Sequence, residues 1–267
     1  MSLLRIENLK THFFSGKRVV KAVDGLSIEV KKGEIVALVG ESGSGKSVTA
    51  MSILRLVPPP GRIVSGSIRY NQQNLLQLPK KQMQTVRGRG IGLVLQDPLS
   101  ALNPLFKAGE QIAEVMRYHF KWSKKKAMAE TKQLMEKVQL VDVDRIYNAY
   151  PHELSGGLRQ RILIAAALAA QPRLLIADEP TTALDSTIQK QILELLKKLQ
   201  RDYDLSILLI THDLGVVSET ADRVYVMNEG SVVESAETDE LFRNPQHAYT
   251  KALLHAMPRI NMPAETE

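Results

Sequence analysis

Eight consecutive residues, Gly40-Glu-Ser-Gly-Ser-Gly-Lys-Ser47, carry the plainest chemistry in the chain. They satisfy a G-x-x-x-x-G-K-[ST] pattern at every required position. The glycines let the backbone wrap tightly, so that several N–H groups point inward at an anion. The run from Val48 to Leu56 reads as a helix, whose N-terminus adds partial positive charge. Lys46 is placed to reach the β- and γ-phosphates of a nucleotide, and Ser47 to ligate Mg²⁺. Glu41, Ser42, Gly43, Ser44, Gly45 and Val48 complete the cradle. Holding phosphate is not yet hydrolysis. Leu174-Leu-Ile-Ala-Asp-Glu179 supplies the second element, an apolar strand that delivers two carboxylates to the end of a parallel sheet, where ligands of α/β folds bind. Asp178 fits the magnesium-side acid. Glu179 is adjacent, so its side chain aims elsewhere and suits polarisation of the attacking water. Alone, this pair reads equally well as an acidic helix start after a buried strand.

These residues need elements to hold them. The first 35 residues alternate apolar and polar side chains (Leu3, Ile6 and Leu9, then Leu26, Ile28 and Val30), the pattern of antiparallel strands with one solvated face. Ile35-Val-Ala-Leu-Val39 is continuously apolar, as in a parallel strand buried on both faces. Gly61-Arg-Ile-Val-Ser-Gly66 reads as the close of that unit, and Gly66–Tyr70 as a return to strand. From Pro98 to Ala170 the period becomes helical: Ile112, Val115, Met116 and Phe120 share a face, as do Met128, Leu134, Met135 and Val138. Strands return at Leu174–Ala177 and Ile207–Ile210, around a helix with Ile188, Ile192, Leu195 and Leu199 at helical spacing. Arg223–Met227 and Ser231–Glu234 flank Asn228-Glu-Gly230 as a hairpin. The plan is an α/β core interrupted by a helical region.

Leu154-Ser-Gly-Gly157 stands before an Ala/Leu-rich helix. By itself it reads as a helix start capped by Ser155. Together with the two nucleotide motifs it resembles the signature of ABC-type ATPases. The resemblance runs over nearly the whole chain. It implies an ABC-type P-loop NTPase fold with an N-terminal antiparallel β subdomain and an inserted α-helical subdomain, a domain spanning 1–257 with the helical part at about 98–170, and a short polar tail at 258–267. It implies that Ser155, Gly156 and Gly157 complete the site of a partner subunit. Gln96 looks like the Q-loop glutamine near Mg²⁺ and the attacking water, Asp185 like the D-loop aspartate that bridges subunits, and His212 like the switch histidine that senses the γ-phosphate. Phe13 looks like the aromatic residue that stacks on adenine, with Phe14 or His12 as alternatives. Lys46, Gln96, Glu179 and His212 form the implied catalytic set. Ser47, Gln96 and Asp178 form the implied metal set.

Gln96-Asp-Pro-Leu-Ser-Ala-Leu-Asn-Pro104, Pro245-Gln-His-Ala-Tyr-Thr250 and Leu154-Ser-Gly-Gly-Leu-Arg-Gln-Arg161 narrow the resemblance to the dipeptide/oligopeptide/nickel importer branch. Gly45–Thr49 and Gly61–Gly66 look like the first of that branch's two paired ATPases. The implied partners are a second ATPase subunit arranged head to tail, two transmembrane permease subunits and, indirectly, an extracytoplasmic substrate-binding protein. The implied ligands are ATP and Mg²⁺, the implied place the cytoplasmic face of the inner membrane, and the implied cargo short peptides, with nickel or a metal chelate as the alternative. Leu158 replaces the glutamine of many ABC proteins, as it often is in this branch. Many members also carry a cysteine-ligated iron–sulfur cluster, for which this chain has no cysteine.

The bulk properties agree. The 267 residues are 44% hydrophobic and 24% charged, an ordinary profile for a protein with a sizeable core. No run of 18 apolar residues spans a bilayer, and the N-terminus lacks the pattern of a secretion signal. The net charge of +6 is dispersed, with one dense run at Lys121–Lys126. It permits a second reading, a soluble ABC ATPase acting on nucleic acid, but no zinc motif, long coiled coil or aromatic-rich basic patch supports one. Intact Glu179 and His212 argue against a third reading, a non-catalytic nucleotide-binding regulator.

Overall fold

The computed structural model describes residues 2–182 and 184–256. The expected tail at 258–267 lies outside the described residues, as does Ala183. Two long strands, β1 (Ser2–Ser15) and β2 (Arg18–Lys31), pair antiparallel with Leu4 opposite Val30 and Ile6 opposite Ile28. Then come β3 (Ile35–Val39), α1 (Lys46–Ile53), β4 (Gly61–Tyr70) and β5 (Gln73–Asn74). β4 returns beside β1, giving a four-stranded sheet in the order β2-β1-β4-β5. Gly61–Gly66, read in the sequence as the close of the unit that Ile35–Val39 begins, is the first half of β4. Ile63 pairs with Thr11, and Gly61 with Phe13. Its side chains are exposed or half-buried, so it lacks the apolar alternation by which strands are read. Pairing to β1 makes it a strand.

After α2 (Lys80–Thr85) and β6 (Ile91–Val94), the chain leaves the sheet for α3 (Pro98–Ala101), α4 (Ala108–Phe120), α5 (Lys124–Lys137), α6 (Val143–Asn148) and α7 (Gly156–Leu168). It returns through β7 (Leu174–Asp178), α8 (Ser186–Tyr203), β8 (Ser206–Thr211), α9 (Leu214–Thr220), β9 (Arg223–Asn228), β10 (Ser231–Glu237), α10 (Thr238–Arg243) and α11 (Ala248–His255). The second sheet runs β10-β9-β3-β8-β7-β6, parallel except at β10. Glu229 and Gly230, at φ 45° and 84°, make the β9–β10 turn. Two successive positive φ values match the twist of the strands they join.

The parallel strands are buried on both faces, hence their unbroken apolar runs. Alternate residues serve different cores. Val36, Leu38, Ile176, Leu208 and Ile210 pack under the antiparallel sheet with Leu4, Ile6 and Leu26. Leu175, Ala177, Ile207 and Leu209 pack on the other face with Ile112, Met116, Met135 and Ile162 of the helical segment. The helices between β6 and β7 therefore share a core with the sheet that holds the site.

Candidate functional site

β3 ends at Val39 and releases the phosphate-loop segment, which α1 terminates. Gly45 has φ 108°, and a Cβ there would stand 2.1 Å from the Ala22 carbonyl oxygen of β2. Only glycine lets the loop and β2 pass this closely. The Gly230 N–H donates to Ser44 O at 3.0 Å and ties the loop to the β9–β10 turn. Lys46 is buried, and its Nζ donates to the carbonyls of Gly40 (2.8 Å) and Glu41 (2.9 Å). Burial pushes the Lys46 ammonium below its ordinary value, against the opposing pull of Glu179 and Asp178. The Ser44 hydroxyl is buried and has no hydrogen-bond partner among the described residues. A buried cation held only by its own loop's carbonyls, with a spare hydroxyl close by in the chain, fits a tight anion.

Ser47 Oγ donates to Asp178 Oδ1 at 3.1 Å, joining the phosphate loop to the end of β7. Burial raises the Asp178 carboxyl above its ordinary value and the Glu179 charge adds to this, while the Ser47 bond and Lys46 pull it back. This donor set is all oxygen, which suits a hard cation. The next residue turns sharply. Glu179 sits at φ 46°, a left-handed conformation that costs a non-glycine residue about 1–3 kcal/mol. Its N–H donates to Ile210 O at 2.8 Å. The turn separates the two carboxylates: Asp178 joins Ser47, whereas Glu179 joins a different group. Gln96 Nε2 donates to Glu179 Oε2 at 2.7 Å, Thr182 Oγ1 donates to the same oxygen at 2.9 Å, and His212 Nδ1 lies 3.0 Å from Oε1. Gln96 follows β6, Glu179 follows β7 and His212 follows β8. The three strands are adjacent and parallel, so their C-terminal ends converge.

A cavity of about 910 Å³ opens there, lined by most of Gly40–Val48 together with Gln96, Glu179 and His212. Ala22, Thr182, Asp213, Leu214, Gly215 and Leu253 also line it, and no spacing rule singles these out. Thr182 reaches Glu179 through the local turn that follows β7. Leu253 arrives only through tertiary packing.

Other sequence-derived candidates lie apart from the cavity lining. Phe13 sits in β1 between Val20 of β2 and Gly61 of β4. Asp185 caps α8 by accepting the Ile188 N–H at 2.9 Å. Ser155 caps α7 by accepting the Leu158 N–H at 3.4 Å. Ser155 and Gly156 are exposed. A Cβ on Gly157 would lie 2.8 Å from Ile188 Cγ2, so the starts of α7 and α8 pack side by side. Among the described residues, no helix is long and apolar enough to cross a membrane.

Comparison with known proteins bears on the whole chain. The ABC transporter family model matches residues 23–182, and the model of the oligopeptide/dipeptide transporter C-terminal region matches 233–267. The oligopeptide transport ATP-binding protein AppD of Bacillus subtilis is 51% identical over 97% of this chain and 80% of its own length. OppD of the same organism, also an oligopeptide transport ATP-binding protein, is 50% identical over 99% of this chain and 74% of its own. Among solved structures, the dimeric ATP-binding cassette MJ0796, in a post-hydrolysis state bound to ADP and Pi, superposes with a TM-score of 0.79 at 28% identity, covering 88% of this chain and 98% of that one. Likeness that extends from the first strand through the C-terminal helix makes this chain a member of the ABC transporter family, an ATP-hydrolysing subunit of its oligopeptide/dipeptide branch.

Proposed function

We propose that the chain is the motor of an importer for short peptides, working peripherally at the cytoplasmic face of the inner membrane. One observation carries the chemical part of this reading: three neighbouring parallel strands lead into Gln96, Glu179 and His212, with Gln96 and His212 each hydrogen-bonded to Glu179 in the cavity that the phosphate loop lines. In this reading Gly40–Val48 cradle the phosphates of ATP, and Lys46 exchanges its two carbonyl partners for β- and γ-phosphate oxygens. Ser47 and Asp178, with Gln96, would hold Mg²⁺, which neutralises charge developing on the phosphates. No cluster of three His, Asp or Glu among the described residues offers a metal site by itself, which agrees with an ion sharing its oxygens with the nucleotide. Glu179 accepts the proton of the attacking water and His212 contacts the γ-phosphate; the assignment of Phe13 to adenine rests on the family resemblance, since Phe13 lies outside the cavity lining.

Ser155, Gly156 and Gly157 act in trans, on the nucleotide of a second ATPase subunit, and Asp185 bridges the two. Their exposure, or their separation from their own cavity, supports this reading. The domain spans 1–257, with the helical subdomain at about 98–170. Leu99, Leu105 and Phe106, following Gln96, expose 56%, 80% and 56% of their surface, an apolar patch suited to a permease helix. Peptide cargo rests on the relatives named for oligopeptide transport. Glu179→Gln in the reconstituted complex is expected to keep ATP affinity and to lower turnover roughly 10²- to 10⁴-fold. Unchanged turnover removes Glu179 from its assigned role. Ligand profiling of the cognate binding protein is expected to return short peptides; nickel or a metal chelate would overturn that cargo.

A further inference from the structure

The segment Pro245-Gln-His-Ala-Tyr-Thr250 has no part in the chemistry above, yet the structure gives it a definite place. The backbone N–H groups of Gln246 and His247 donate to the two carboxylate oxygens of Glu234 on β10, at 2.7 Å and 3.0 Å. His247 Nδ1 accepts the Tyr249 N–H at 3.2 Å and caps α11. The chain is thus pinned to the sheet just before the helix, which fixes where α11 points. The Tyr249 ring packs against the cluster of Val39, Leu214 and Val226. Its hydroxyl oxygen accepts the backbone N–H of Glu41, inside the phosphate loop, at 3.1 Å. Leu253 and Ala256, four and seven residues further on, line the nucleotide cavity. That spacing puts all three on one face of the helix.

One peptide unit makes this more than packing. The Glu41 N–H and the Gly40 carbonyl belong to the same peptide group. Tyr249 Oη holds its nitrogen end, and Lys46 Nζ holds its oxygen end. Once Lys46 turns its protons to phosphate, the bond to Tyr249 Oη still holds that peptide. We infer that the C-terminal helix is a working part of the nucleotide site. Tyr249 acts as a positioning residue that preorganises the phosphate loop, and Leu253 supplies a wall of the pocket. Any partner that displaces α11 would thereby change ATP affinity. This inference rests on the assignment of Gly40–Ser47 to nucleotide, and deepens it.

Tyr249→Phe tests it, because the ring stays in its apolar cluster and only the oxygen leaves. With the full chain and a fluorescent ADP analogue, the dissociation constant is expected to rise about three- to tenfold, the effect of one lost hydrogen bond. The nucleotide-free melting temperature is expected to stay that of the parent. Leu253→Asp, which places a carboxylate in the wall of the cavity, is expected to weaken binding of the anionic nucleotide more, and more at low salt than at high salt. Parent-like affinity in both variants overturns the inference, as does weakened binding that appears only together with a lowered melting temperature. If the parent chain itself fails to bind the analogue, the nucleotide assignment falls instead, so the two failures are separable.

Discussion

Among the described residues the Glu179 carboxylate has three hydrogen-bonding partners, and in the proposed reading two of them, Gln96 and His212, turn to the metal and the nucleotide when ATP enters. Thr182 is the third. Its hydroxyl meets Oε2 at 2.9 Å from the same turn that bears Glu179, so it can hold the carboxylate while the other two rearrange. The backbone N–H of Thr182 also donates to the Glu179 carbonyl at 3.2 Å, which fixes the distance between the two residues. Thr182→Val, nearly isosteric, is expected to lower kcat roughly tenfold by freeing the carboxylate, with KM little changed and Thr182→Ser restoring most of the rate. A Val variant with parent kcat would show that the turn alone positions Glu179.

Between elements, close approaches are bought with small residues. A Cβ on Gly109 of α4 would stand 2.1 Å from Cδ2 of Tyr147, so α6 lays its tyrosine ring directly on the α4 backbone. The Tyr147 hydroxyl donates to Glu110 Oε1 at 3.1 Å. Burial first, and then the Glu110 charge and its bond, push that hydroxyl up to about 12, so it remains a donor at any physiological pH. Gly109→Ala is expected to destabilise the chain by about 1–3 kcal/mol through overpacking. Calorimetry would register this as a lowered melting temperature, with nucleotide affinity unaffected because the contact lies outside the cavity lining. A parent-like melt would mean that α6 can shift away without loss.

At the scale of the whole molecule, the signature turn and the phosphate loop serve different cavities in the proposed reading. The helical segment that carries Ser155–Gly157 shares its core with the face of the sheet formed by Leu175, Ala177, Ile207 and Leu209. A rigid-body shift of that segment is therefore coupled to the strands that end in Glu179 and His212. A dilute monomer is expected to bind ATP and hydrolyse it slowly, with turnover per chain rising as ATPase subunits pair. Fast hydrolysis by a sample shown to be monomeric in sedimentation would argue that one chain makes a complete site.

The segments Gly40–Ser47, Asp178–Glu179 and Leu154–Gly157 stood out in the sequence because the chemistry proposed for them needs fixed residue types at short, fixed spacing; the structure brings most of the first and Glu179 of the second to one cavity. Strands buried on both faces were legible as unbroken apolar runs, and amphipathic helices by the period their buried face leaves. Gly61–Gly66 was not read as strand because none of its side chains is buried, and without a buried face there is no alternation. That Glu179 aims away from Asp178 followed from their adjacency; only the tertiary structure decided that it does so through a left-handed φ and meets Gln96, Thr182 and His212. It alone brought Tyr249 to Glu41, 208 positions away in sequence. Local spacing encodes what one segment can do; which distant backbone a side chain meets is set by strand register and packing, which the chain acquires only when the sheets close on their cores.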